Sequence, residues 1–194
     1  MKKRIAALTL LASLAIGSSS TLAADFSDYS LRTRADQIVT MGEKTVVLHI
    51  SGKQTPDNVS VEGITYPSKF VPVKDLFRYT SSTVQWDNSR KVATVANQGK
   101  KLLLNYSNKP LTPGEGEVVA PRTWITMQNG QAMIDVYVLT YILHRYGNVN
   151  VDGKRYEDKE REEWNKKLNF LGILYAEWLP EVKAERMHIY VSLP

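Results

Sequence analysis

Between Thr83 and Ile134 the chain reverses direction every few residues, and that punctuation leaves room for little besides short antiparallel strands. Thr83-Val84-Gln85-Trp86-Asp87 alternates polar and apolar, Asn88-Ser89 has turn composition, and Lys91-Val92-Ala93-Thr94-Val95-Ala96 alternates again. This pattern predicts a hairpin with Trp86, Val92 and Val95 turned inward. Gly99 separates it from a further strand, Lys101-Leu102-Leu103-Leu104-Asn105-Tyr106. Trp124-Ile125-Thr126-Met127 and Ala132-Met133-Ile134 flank Asn129-Gly130, the strongest two-residue hairpin turn a sequence can offer. Upstream, Thr45 to Ile50 reads as a strand, Gly52 to Asn58 as a turn and Val59-Ser60-Val61 as a short strand.

Three segments break this period of two. Pro72 fixes φ where a first helical turn would begin, and Val73, Leu76 and Phe77 follow at helical spacing, predicting a short helix to Tyr79. Asp135 is placed to cap a second helix running to Tyr146, with Val138, Leu139, Ile142 and Leu143 on one face and Gly147 as its stop. Glu157 to Leu171 is charged, but Trp164, Leu168 and Leu171 form an apolar stripe, and Gly172 ends it. Val149-Asn150-Val151 is strand-like, and Leu174–Leu179 with Met187–Leu193 suggests a closing hairpin. Ala24 to Asp36 is polar and poorly periodic, a lead-in. The expected fold class is α+β. Short antiparallel strands and hairpins carry helices on one side, in two degenerate β-α-β half-repeats followed by a C-terminal helix and hairpin. The expected divisions are residues 1–23, 24–58, 59–151 and 152–194.

Residues 1–23 have the order of an export signal. Lys2, Lys3 and Arg4 precede an apolar run from Ile5 to Ile16, then Gly17 and three serines, then Thr21-Leu22-Ala23. Cleavage is expected after Ala23. No acidic residue precedes Ala24, so the remaining chain carries 22 basic against 20 acidic groups, with no block of like charge to grip phosphates. There is no cysteine. Disulfides, thiolate metal ligands and a cysteine nucleophile are therefore excluded.

The order strand, helix, strand with Trp-Asp occurs once in full, at Val71-Pro72-Val73-Lys74 and Val84-Gln85-Trp86-Asp87. It begins again at Asn129-Gly130-Gln131-Ala132-Met133-Ile134-Asp135-Val136, where Ile134 stands 63 residues after Val71. This resembles the copper amine oxidase-like N-terminal domain, or stalk domain, of secreted Gram-positive proteins, over roughly Val59 to Val151. Ala120-Pro121 resembles the family's linker. Three departures stand out: Ser81 where the first helix usually ends at Gly, Asp135 in place of the second Pro, and no Trp-Asp after Gly147. The resemblance implies a non-catalytic module, because the metal and redox cofactor of such oxidases belong to a separate domain. Asn105-Tyr106-Ser107 fails the N-Y-[DE] context of their modified tyrosine at its third position.

Read for chemistry, the chain offers little. His49, His144 and His188 are far apart in sequence and sit in apolar segments, so no cofactor or metal is expected. No G-x-S-x-G elbow occurs. Asp75, Asp87, Asp135 and Glu115 are candidate carboxylates for glycoside hydrolysis, but no spacing selects two of them. Trp86 reads as interior scaffold, with a sugar-stacking platform as the alternative. Tyr137 and Tyr141, at i and i+4, offer an aromatic face for a wall glycan or protein, and core packing explains the same residues at least as well. The expected function is an exported envelope module, non-catalytic, that binds a cell-wall polymer or partner protein or acts as a spacer. A wall hydrolase with loop-borne carboxylates, or a regulator of a secreted enzyme acting through the Pro-Gly loop at 111–116, is the alternative. No nucleic-acid partner and no membrane span beyond the signal are expected.

Overall fold

A computed structural model describes residues 30–39, 45–53, 58–145 and 158–194. The fold is α+β: short strands in mixed sheets with a few helices. One sheet has the order β10-β11-β1-β2, built from Tyr175–Glu181, Arg186–Ser192, Thr45–Lys53 and Asn58–Tyr66. A second has the order β3-β9-β8, from Phe70–Pro72, Gln131–Asp135 and Ile125–Gln128. The third is β4-β5-β6-β7, from Thr83–Asp87, Val92–Asn97, Lys100–Asn105 and Glu117–Val119. Helices α1 (Leu31–Val39), α2 (Val73–Phe77), α3 (Val136–Ile142) and α4 (Lys159–Leu168) complete the chain. None of the described helices is long and apolar enough to cross a membrane.

The half-repeats meet in the second sheet. β3 and β9 run antiparallel with Val71 opposite Ile134, Phe70 opposite Asp135 and Pro72 opposite Met133. With Ile134 equivalent to Val71, this is the register of a local two-fold axis, and both central residues are fully buried. Each strand leads straight into its helix. Pro72 starts α2 with φ −57° and no side-chain cap. Asp135 starts α3 by accepting the amides of Tyr137 and Val138 on its carboxylate, so a side-chain cap does the work of the absent proline ring. The position where a second Trp-Asp would fall, with Gly147 and the strand-like Val149-Asn150-Val151, lies outside the described residues.

The hairpins form as their turn chemistry demands. Asn129 and Gly130 both take positive φ, 49° and 74°, the geometry that joins strands in two residues. The Asp87 carboxylate accepts from the amides of Ser89 and Arg90, closing the turn to β5. Tyr175–Glu181 and Arg186–Ser192 pair antiparallel as the closing hairpin.

Two features differ from expectation. Residues 31–39, inside and just past the lead-in, form α1, with Ser30 accepting the Thr33 amide at its start. Its buried face is Leu31, Arg34 and Ala35, and a charged residue in the middle of that stripe hides the periodicity. β11 also pairs parallel to β1 across more than 130 residues, joining both ends of the chain in one sheet. Alternation fixes a strand's faces but not its neighbour, so this pairing is invisible to local patterning.

Candidate functional site

The largest correction concerns Trp86. Expected in the interior, it is 37% exposed. It lies on β4, the outermost strand of its sheet, and α2 is only five residues long, too short to roof it. Its ring leans against Tyr106, centroids 5.8 Å apart, and its other side opens on a cleft of about 290 Å³. The walls are the start of α2 from Pro72 to Asp75, the edge of β4, and the β8–β9 hairpin. Met127 on that hairpin is 42% exposed and faces the same space. The lining is mostly apolar, with the amides of Gln85 and Gln131 and the charges of Lys74 and Asp75. Tyr66 donates to the Asp75 carboxylate at 2.9 Å. Burial, then that carboxylate, pushes the Tyr66 hydroxyl pKa up, so it stays a donor.

Among the described residues Asp75 is the single carboxylate lining this cleft. Asp87 is half-buried and occupied by its turn, where the Arg90 amide and the Ser89 hydroxyl hold its carboxyl below the usual range. Asp135 is fully buried under α3, 3.1 Å from Lys69 and 3.5 Å from Arg32. Glu115 sits in the exposed loop that Glu117 ties down through the Gly114 amide. The described structure therefore does not bring these four candidates together at the cleft.

The aromatic face expected from Tyr137 and Tyr141 is absent, because both rings are buried in the core. Here α3 is buried on all sides, held by α1, β10 and α4, so an i, i+4 pair marks packing and not a surface. Trp164 on α4 rests on buried Trp124 at 4.6 Å, and Leu168 and Leu171 are buried, so that stripe faces the domain's own core.

The histidines are rearranged too. Parallel pairing of β1 with β11 brings His49 Nε2 within 3.0 Å of His188 Nδ1, while His188 Nε2 lies 3.1 Å from Glu181. His144 stays apart, its ring tilted by 37° against Trp178 with centroids 4.1 Å apart. Among the described residues no three His, Asp or Glu side chains are grouped to hold a metal ion.

Comparison with known families rests on this frame. The copper amine oxidase N-terminal domain matches residues 59–156, half of the chain. The chain belongs to that family. No curated protein and no solved structure matches it. The matched region runs from β2 to just before α4 and contains the whole cleft. The copper amine oxidase N-terminal domain is a non-catalytic, accessory type of module. Its two departures at described positions have structural reasons. Asp135 replaces a proline by capping α3. Ser81 lies under the close approach of Gly172, where the residues after α4 dock.

Proposed function

We propose that this chain is an exported, non-catalytic module of the cell envelope that holds a wall polymer or another exported protein at the Trp86 cleft. One observation carries the reading: Trp86 and Met127, two of the large apolar side chains left exposed, face one another's space across a single opening. A module that only spaced other parts would have no reason to leave an indole uncovered there. A wall hydrolase would need a second carboxylate about 5 to 9 Å from Asp75, and the described residues of the lining supply none.

The test is retention of the full chain on purified cell wall, together with photo-crosslinking to exported proteins from a probe at position 127. Trp86→Ala is expected to weaken retention or crosslinking about tenfold, the scale of one interface anchor, while leaving the thermal midpoint within a degree or two. Equal retention by the variant, or neither retention nor crosslinking in the parent, would remove the cleft as a binding site.

Export rests on the order of residues 1–23. N-terminal sequencing of the released protein should begin at Ala24. A chain that keeps Met1 in the cell would sink this part of the proposal and leave the cleft untouched.

A further inference from the structure

The cleft runs along a strand edge and reaches Ala93 on the neighbouring strand. Val84, Gln85 and Trp86 are consecutive on β4, so their side chains alternate sides, yet all three line it. β4 is the outer strand of its sheet, with no strand paired along that side among the described residues.

Four of the other five edges are blunted, and the two that are not, β4 and β8, both border the cleft. β10 carries Pro180, β3 carries Pro72, and β3 and β7 are three residues long. β2 sits across a register shift and includes Gly63 at φ 73°. β4, Thr83-Val84-Gln85-Trp86-Asp87, has no proline, glycine or lysine, the residues that usually discourage strand addition. β8, the facing edge, presents Met127.

Charge narrows the occupant. Asp75 is engaged by Tyr66, whereas Lys74 at the same wall is exposed and forms no ion pair among the described residues. An incoming group that complements this wall is an apolar side chain with a carboxylate next to it.

We propose that the cleft takes an extended segment of a partner polypeptide, which adds to the free edge of β4. It places an apolar side chain between Trp86 and Met127 and a carboxylate beside Lys74. This rests on the reading of the cleft as a binding site and narrows its ligand to a peptide. A strand offers amides and carbonyls at the repeat β4 presents, and side chains returning to one face about every 7 Å. A glycan offers hydroxyls without that repeat and would leave the aliphatic walls of Val84 and Ala132 poorly matched.

The experiment selects phage-displayed random twelve-residue peptides on the full chain, then measures one enriched peptide as a synthetic ligand. Enriched peptides should alternate apolar residues and carry at least one Asp or Glu. Binding should weaken about tenfold in Trp86→Ala and several-fold in Lys74→Glu, and amide exchange at residues 83–87 should slow about tenfold on binding. Methylating alternate backbone nitrogens of the peptide should abolish binding in one of the two phases and spare it in the other, because only one set faces β4. The proposal is overturned if no peptide is enriched over the Trp86→Ala control. It is also overturned if both N-methylated forms bind equally well, or if protection appears away from β4. A wall-glycan tetrasaccharide that binds at Trp86 where peptides do not would overturn it and leave the binding-module reading standing. A Trp86-dependent dimer would put a second copy there and overturn the separate partner. If peptide, glycan and self-association all fail, both readings fall.

Discussion

Asp158→Ala is expected to lower folding stability by about 3–5 kcal/mol, the cost of stripping one partner from a buried ion pair. Asp158 is nearly inaccessible and receives four contacts. Arg34 approaches both oxygens, at 2.8 and 3.1 Å, Tyr141 donates its hydroxyl at 2.7 Å, and the Arg161 amide donates at 3.0 Å. The last of these makes Asp158 the N-cap of α4, which sets where that helix begins. Arg34 itself is 2% exposed, so losing Asp158 strips a buried guanidinium of a buried counter-charge and leaves it beside the half-exposed Glu160. Arg161, also buried, bonds to the carbonyls of Tyr141 and His144. One carboxylate thus fastens α1, α3 and α4 together. Urea unfolding should show a lower midpoint with an unchanged slope, and Asp158→Asn should fall between variant and parent. A loss under about 1 kcal/mol in Asp158→Ala would mean that the helices are held by their apolar contacts alone.

The same network sets the response to acid. Burial pushes the Asp158 carboxyl up, but the Arg161 amide, the Tyr141 hydroxyl and Arg34 outweigh it and hold it below the usual range. A depressed folded value means that the contribution is complete above the unfolded value, about 3.9, and is lost as pH falls through the folded one. His144 acts earlier. Burial, and then Arg161, push its imidazole down to about 4, below the unfolded value of about 6.5. The unfolded chain takes up a proton that the folded one refuses, so stability declines as pH falls across that window. The urea midpoint of the parent should therefore drop first as pH falls from about 6.5 towards 4 and again below about 3.9. Asp158→Ala should shrink the second drop and keep the first. A flat profile down to pH 4 would show His144 charged in the fold.

The parts of this protein legible in its sequence are those set by neighbours a few residues away. Asn129-Gly130 needs no tertiary partner to turn, Asp135 and Pro72 start their helices from within, and Leu168 and Leu171 face inward on local period alone. The half-repeat was legible because Val71 and Ile134 share a motif, and the two-fold pairing follows from it. What stayed hidden depends on distant chain. Arg34 looks like a surface residue until Asp158 is beside it. His49 and His188 meet because β1 and β11 are parallel neighbours. The candidate site was misjudged for the same reason: alternation correctly placed Val84 and Trp86 on one side of β4, but whether anything covers that side depends on the length of α2 and on the β8–β9 hairpin. An indole in an alternating strand is a weak predictor of burial when the strand ends a sheet.

Gly172→Ala should be the second severe change, about 2–4 kcal/mol, and it tests whether the C-terminal segment is a working part of the family domain. Gly172 has φ 72°, where a β-carbon costs about 1–2 kcal/mol by itself. Built there, that carbon would sit 2.4 Å from the Ser81 hydroxyl and 3.0 Å from its amide. Ser81 cannot swing away freely, because Asn97 donates to its hydroxyl at 2.8 Å while also bonding the Phe170 carbonyl at 2.7 Å. Ser82 donates to the Leu171 carbonyl beside it. The residues after α4 are thus clamped onto the β4–β5 sheet through the position where the family usually has glycine. Ser81→Gly should accordingly restore part of the stability lost in Gly172→Ala, the steric share, while the share due to positive φ remains. In the double-mutant cycle the two changes should couple by about 1 kcal/mol or more, as residues in contact do. Strict additivity would mean that Ser81 and Gly172 do not touch, and that the C-terminal hairpin is held only by its pairing with β1.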